Sequence, residues 1–438
     1  MNEGGKGFRK HIGLTALIGC GFFTMGLMDI LYDTYVPIFL GKYVASNAFV
    51  GSVMTLGNVL AIFLIPIVSA WSDRTRTRIG RRMPFIVVTL PLSALSFSLL
   101  PYAAAVSLSA LFIVILGLNF FKQAARGPVV ALMPDTIPGE YRSEANGVIN
   151  AMGALGAIVA TLGLARLMDL DLVLPVLGAT KDRLPFPVGG ALVVVATILV
   201  AVFVRERAGG PLASEEGQPF LASLKNIAGG SDKSALRILL SIFLWFLGYQ
   251  GVLPFIGKLS VEAFGASSGN AALPAGLVGI AQAAFAVPAG YIAHRIGRRR
   301  AIRGSLLAVT AALLVGGILA SSLAAPLGAG TRFAAFLGVM FLFGIFWIVI
   351  ITNSFPMLWQ MASFGTIGIY TGLYYTFKES AGIAAPPLTG ALIDLVGYPG
   401  IFAFAALCML GAFAVMGRVD RGEPAERTGP DGKSASEG

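Results

Sequence analysis

Ser72-Asp73-Arg74-Thr75-Arg76-Thr77-Arg78-Ile79-Gly80-Arg81-Arg82-Met83-Pro84-Phe85-Ile86 sets a loop of five arginines between two apolar runs, 47–71 and 84–104. Each run is long enough to cross a bilayer as a helix. Within the loop, Ile79-Gly80-Arg81-Arg82 recurs as Ile296-Gly297-Arg298-Arg299, the copies starting 217 residues apart in a chain of 438. Each copy follows the second apolar run of its half. Four residues alone could match by chance, but four residues at the same place in each half indicate a duplicated six-span unit.

The composition agrees. The chain is 56% hydrophobic and 12% charged, where a soluble domain carries about 25% charged residues. Its mean hydropathy is +0.80. A soluble enzyme, a disordered chain and a secreted disulfide scaffold are all disfavoured. Cys20 and Cys408 both lie in apolar runs and form no disulfide framework or metal spacing.

Twelve apolar segments are expected to span as helices: 12–40, 47–71, 84–104, 107–133, 146–168, 187–204, 237–262, 271–293, 304–325, 332–357, 366–393 and 397–417. Of the 32 basic residues, 23 fall on the side that holds the N-terminus, the Arg-rich loops and the tail, and 4 on the other. That asymmetry predicts a multi-pass protein of the cell membrane with both termini cytoplasmic. It also accounts for the net charge of +10 without any nucleic acid. The expected organisation is a cytoplasmic N-terminus (1–11), a first six-helix half (12–204), a cytoplasmic middle loop (205–236), a second half (237–418) and a disordered cytoplasmic tail (419–438). The first apolar run is too long for a signal-peptide core and reads as an uncleaved span.

The Ser72–Ile86 stretch resembles the signature of the plant sucrose/proton symporters and their animal and bacterial relatives. These lie near the glycoside–pentoside–hexuronide:cation symporters in the major facilitator superfamily. Arg126-Gly127-Pro128, Ala131-Leu132-Met133-Pro134-Asp135, Arg142 and Ala145-Asn146 agree with it. The resemblance implies an all-α membrane protein of twelve helices in two six-helix halves. It implies a sugar carrier working by alternating access, with the lipid bilayer and a small-molecule substrate as partners. A monomer is the default for this architecture. The plant pattern is close to Gln-Gly-Pro-x-Arg-Ala-Leu; here Arg126 replaces the Gln and Val130 the Arg, as in the bacterial branch. Melibiose-type permeases use an acidic pair on the second helix for sodium. This second helix offers only Asn58, so their sodium site does not transfer. Their functional lysine on the eleventh helix has Lys378 in a comparable place.

Six charges fall where a charge costs about 2.5–3.5 kcal/mol or more: Asp29, Asp33, Lys122, Arg126, Lys378 and Glu379. Three are acids and three are bases, which points to mutual pairing around an aqueous cavity. Asp29 and Asp33 are four residues apart and share a helical face, as do Lys122 and Arg126. The acid face of the first helix is therefore expected to meet the basic face of the fourth, either as a structural ion-pair cluster or as a proton and substrate site. Substrate hydroxyls that take the Arg126 or Lys122 hydrogen bonds would release a carboxylate to hold a proton, coupling the two ligands. His11 and His294 sit at membrane edges, so a carboxylate must serve: Asp33 or Asp29, with Glu379 next. Lys378 and Glu379 are adjacent and expected to point to different faces. No cofactor is expected; the proton is the coupling ion.

Sugars also need aromatic faces and amides. Trp245 and Trp347 lie within spans, with Tyr249, Gln250 and Asn353 near them; Tyr32, Asn58, Asn150, Tyr374 and Tyr375 complete the set. Each of these also has a plain packing role open to it. Trp71 and Trp359 sit at helix ends as an aromatic belt. Asp73, Arg74, Gly80, Arg81, Arg82, Asp135 and Arg142, with Arg295, Gly297 and Arg298 in the second copy, form a candidate cytoplasmic gate. There an Asp135–arginine pair would hold that end shut; topology signalling and anionic-lipid contact are the plainer reading.

No hydrolase, zinc or phosphate-loop motif is present in the sequence. Asp169-Leu170-Asp171 lacks a nucleotide domain, and Tyr32-Asp33 lacks the second motif of an intramembrane protease. The expected function is proton-coupled symport of a sugar or glycoside, sucrose- or maltose-like. Transport of a non-sugar organic solute, by uptake or efflux, and a non-transporting membrane sensor are the alternatives.

Overall fold

The computed structural model describes residues 10–138, 141–175, 178–206, 233–361 and 367–421. Most of the middle loop and the tail, and Lys6 and Arg9 of the N-terminus, lie outside the described residues. In a bilayer each backbone N–H must be satisfied within its own segment, so the apolar runs become helices. They are α1 (Ile12–Gly41), α2 (Asn47–Arg74), α3 (Met83–Val106), α4 (Leu108–Thr136), α5 (Glu144–Asp169) and α6 (Pro185–Phe203), then α7 (Ser234–Glu262), α8 (Ser268–Ile296), α9 (Arg298–Ala320), α10 (Ala329–Leu358), α11 (Ile367–Val396) and α12 (Tyr398–Met416). All but α11 are long and apolar enough to cross a membrane by length and composition. Helix α11 is 30 residues long, but Lys378, Glu379 and Asp394 dilute its apolar sequence.

The helices pack in the same pattern twice. In the first half α1 lies against α5 and α6, and α3 and α4 lie against each other. There α4 also lies against α2, and α3 against α6. The second half repeats each pair six helices on: α7 with α11 and α12, α9 with α10, α10 with α8, α9 with α12. The duplicated motif thus sits in a duplicated fold, and between the halves α2 meets α11 and α5 meets α8.

Small residues allow the closest approaches. A Cβ on Gly26 would collide with the Gly153 carbonyl, and one on Gly156 with that of Phe23, so α1 and α5 touch backbone to backbone. Helices α2, α5 and α7 are interrupted. Thr55 breaks α2 between Asn47–Met54 and Leu56–Arg74. Helix α5 widens into a π-turn at Val159–Leu164 and then tightens. Helix α7 is interrupted by a 3-10 turn at Leu253–Phe255, and α8 opens with one at Ser268–Asn270 before its main run from Leu273. Helix α11 contains Pro386 and Pro387 but is continuous. A short hairpin, β1 (Val173–Leu174) with β2 (Gly178–Ala179), lies between α5 and α6. The end with the Arg-rich loops is called the basic end below, and the other the opposite end.

Candidate functional site

Helices α1 and α4 carry the central charges. Asn119, Lys122, Gln123 and Arg126 follow the i, i+3, i+4, i+7 spacing of one helical face. Lys122 Nζ lies 2.8 Å from Asp29 Oδ1 and 4.9 Å from the centre of the Tyr32 ring. The Tyr32 hydroxyl accepts from Asn119 Nδ2 at 2.9 Å. The Lys122 side chain is enclosed, but that of Asp29 keeps 45% of its accessible surface. Asp29 is therefore the accessible member of the pair.

The pairing of faces is only half realised. Asp33 and Arg126 have no oppositely charged side chain within 4 Å among the described residues. Asp33 acts electrostatically on Asp29, Lys122 and, across the halves, Tyr249. Arg126 and Lys378 act on Asp29, and Arg126 acts also on Tyr375. The charges of the two halves thus meet in one field. Lys378 and Glu379 do not point apart as expected. Lys378 Nζ lies 2.9 Å from Glu379 Oε1, because the long lysine stem swings back along the helix. Lys378 Nζ also stands about equally far from the Phe246 and Tyr375 rings, 5.9 and 5.8 Å.

The aromatic candidates form a wall. Tyr249 stacks on Trp347 with centroids 4.5 Å apart and planes 10° apart, and Phe343 lies near-parallel to both rings, 5.8 Å from Trp347 and 6.1 Å from Tyr249. Tyr249 hydrogen-bonds Gln282. Trp245 is fully buried, and its Nε1 has no partner among the described residues. Tyr374 is also buried; it shares a hydrogen bond with Ser354 at 3.2 Å and stacks on Phe355 at 3.7 Å. Tyr375, one residue on, is 49% exposed.

The amides divide. Asn58 Nδ2 donates to the Gly382 carbonyl at 3.0 Å, joining α2 to α11, and Gln250 Nε2 crowds the same glycine. Asn353 is buried and donates to Val349 O at 2.8 Å and, weakly, to Ala289 O. Its donors are taken up by backbone carbonyls of α10 and α8. Asn150 is exposed, and its amide bonds the Asn146 carbonyl of its own helix. Sequence reasoning missed Asn119 and Gln123, both buried, whose Oδ1 and Oε1 lack partners among the described residues. Their spacing with Lys122 and Arg126 was the available signal; only the charged members of that face drew notice.

At the basic end Arg81 holds Asp135 at 2.7 Å and Glu206 at 3.2 Å. Arg82 Nε reaches Asp135 at 2.9 Å, its other nitrogens reach Asp73, Ser72 and the Ser69 carbonyl, and its backbone N–H donates to Glu206. Burial alone would lower the Arg81 pKa; the Asp135, Glu206 and Asp73 carboxylates hold it above its ordinary value. Gly80 has φ +115° and Gly297 φ +91°, so both copies of the motif turn on a left-handed glycine. Arg142 caps the Pro134 carbonyl at 2.8 Å.

The gate residues divide. Asp135 and its arginines were expected to hold the cytoplasmic end shut; among the described residues their ionic partners lie on α2, α4 and at Glu206, just past α6. Arg74 is exposed and has no ion pair among the described residues, because the chain turns away at Thr75. Arg295 donates to Tyr291 and lies over its ring at 4.8 Å, both in α8, so the second copy builds no matching clamp through it.

A charged site between two six-helix halves, each half repeating the packing of the other, defines a multi-pass membrane carrier. The chain belongs to the Major Facilitator Superfamily, whose sequence profile matches residues 18–384 and again 238–437, a family of transporters rather than enzymes. Solute carrier family 45 member 3 of Homo sapiens is 30% identical over 202 residues, 42% of this chain and 35% of that protein. The Mus musculus protein of the same name is 30% identical over 199 residues with the same shares. The chain spans about a third of the length of these curated relatives. The nucleoside transporter NupG superposes with a TM-score of 0.67 at 15% identity, covering 93% of this chain and 98% of that one. A D-xylose-proton symporter superposes with a TM-score of 0.68 at 15% identity, covering 95% and 98%. At these identities the likeness is one of fold.

Proposed function

We propose that the chain is a secondary active transporter coupling a sugar or glycoside, sucrose- or maltose-like, to a proton by alternating access. It works as a monomer without a cofactor, in a bacterial inner membrane with its basic end cytoplasmic.

Asp33 carries this reading. It lies within the field of the Asp29–Lys122 pair yet has no ion pair to break before exchanging a proton. An ionisable group kept inside a membrane segment is costly unless it is used. Arg126, which acts on Asp29 and Tyr375, offers a donor, and the Tyr249–Trp347 stack offers an apolar face to a sugar ring. Protonation of Asp33 removes a negative charge from the cavity, and substrate hydroxyls engage Arg126 and Lys122. Each event changes the field felt by the other, which is coupling in the thermodynamic sense.

The test is a proton-flux assay in proteoliposomes holding an internal pH dye, challenged with mono- and disaccharides. Acidification of the lumen on adding sugar, with matching alkalinisation outside, is the expected result. No sugar-evoked proton movement from any panel member overturns the reading. Arg126 has no acidic partner among the described residues, and this favours a second reading, an anionic organic solute. The same assay with uronates and organic acids separates the two.

A further inference from the structure

Asp169 and Asp394 lie outside the central site, and neither is a lone surface acid. Asp394 stands near the C-terminus of α11, at the opposite end. Its Oδ1 accepts from the Asn47 backbone N–H and from Asn47 Nδ2, both at 2.8 Å. Its Oδ2 accepts from the Ala48 N–H and the Ser46 hydroxyl, both at 3.0 Å. These are groups of the first turn of α2, in the other half. Asp169 ends α5; its Oδ1 accepts from the Gly269 N–H at 2.9 Å and its Oδ2 from the Ser267 hydroxyl at 2.7 Å. These groups open α8, again in the other half.

The two arrangements are images of one another under exchange of the halves. Helix α5 corresponds to α11 and helix α8 to α2. In each, a carboxylate at a helix C-terminus leaves its own half and satisfies N–H groups that a helix start leaves unpaired. The dipole of α2 favours the charge of Asp394, while Asp169 meets the single 3-10 turn Ser268–Asn270 that precedes the main run of α8.

The surroundings leave no slack. A Cβ on Gly390 would strike the Asn47 carbonyl, one on Gly51 the Pro386 carbonyl, and one on Gly269 the Asp169 carboxylate. Lys258 of α7 donates to Asn47 Oδ1 at 2.6 Å, so both ends of that amide are held by the second half. The Tyr35 hydroxyl donates to Ser268 O at 2.8 Å beside the second arrangement. The hydrogen bonds between the halves gather here, reaching inward to Asn58 and Gly382.

The geometry points to a twin clasp: Asp394 on the start of α2 and Asp169 on the start of α8 together hold the opposite end of the carrier shut. Rotation of one half against the other pulls both carboxylates off their N–H groups at once. Opening that end therefore requires both caps to be replaced by water, and loss of one cap leaves half the lock. The inference rests on the alternating-access reading, but it needs neither a sugar nor a proton.

Electron spin distance measurements test it. Cys20→Ser and Cys408→Ala clear the background, and labels are placed at Val173→Cys and Leu323→Cys, exposed positions on the two halves at the opposite end. The full chain is held in lipid nanodiscs without substrate. Asp394→Ala and Asp169→Ala should each raise the ratio of separated to closed distances by about tenfold, the scale of a lost helix cap. The double variant should raise it further. Asn47→Ala, which removes one of the four hydrogen bonds to Asp394 together with the Lys258 contact and no charge, should shift the ratio the same way by a smaller factor and keeps the test alive if an aspartate variant fails to fold. A double variant, or Asn47→Ala, with the parent's distance distribution overturns the clasp. Because no substrate is present, that result leaves the sugar reading untouched, and absence of sugar-evoked flux leaves the clasp measured.

Discussion

Asp29 and Asp33 lie one turn apart on the same helix, yet only Asp29 is tied to a cation, Lys122 at 2.8 Å. The difference divides their roles. Asp33→Asn should reduce uphill accumulation to equilibration, an inside-to-outside ratio of about one, while leaving substrate exchange. Counterflow and gradient-driven uptake in the same proteoliposomes read both. Full accumulation by this variant passes the carrier role to Asp29 or Glu379.

Removing the cation alone strands a charge. Lys122→Met should destabilise the purified protein by about 1–2 kcal/mol, below the range for a sealed pair because Asp29 meets water. Pairing it with Asp29→Asn should restore most of the loss. A thermal-unfolding cycle over the four proteins gives the coupling, and additive losses would mean that the pair is incidental.

Arg126 is the half-buried base of the cluster that has no acidic partner among the described residues. Arg126→Ala should weaken substrate binding by about 10- to 100-fold, the value of a hydrogen bond to a charged group. Arg126→Lys should recover part of it, since an ammonium keeps the charge but loses the planar fork. Unchanged affinity would make the α1–α4 cluster a structural one.

At the basic end the prediction concerns stability. Arg82 is buried among Asp73, Asp135, Ser69 and Ser72. Arg82→Ala should cost about 3 kcal/mol, as expected when one partner leaves a buried pair. Gly80→Ala and Gly297→Ala should each cost about 1–2 kcal/mol for the left-handed backbone. Arg74→Ala, at an exposed position, should stay within about 0.5 kcal/mol. Thermal denaturation monitored by size exclusion checks all four. A loss at Arg74 equal to that at Arg82 would contradict the assignment.

The fold was legible because membrane physics leaves few choices. Apolar length gives helices, and the repeated Ile-Gly-Arg-Arg gives the halves. The Asp29–Lys122 contact was legible too, since intramembrane charges must find partners and both pairs carried helical spacing. Side-chain reach was not. Adjacent Lys378 and Glu379 meet because their stems are long, and Asn353 turns its amide to carbonyls no pattern announces. The roles of Asn47, Asp169 and Asp394 were equally hidden. They depend on which helix ends meet across the halves, and a polar residue at a helix end looks the same in sequence whether it faces water or another helix.

The clamp of Arg81 and Arg82 joins α2, α3, α4 and the chain leaving α6, all within one half. Contacts that ride together on one rigid body have the same free energy before and after that body turns. Their contribution cancels from every equilibrium between conformations. Damage there should therefore be counted in molecules surviving per unit of membrane, and the turnover of each surviving molecule should be that of the parent.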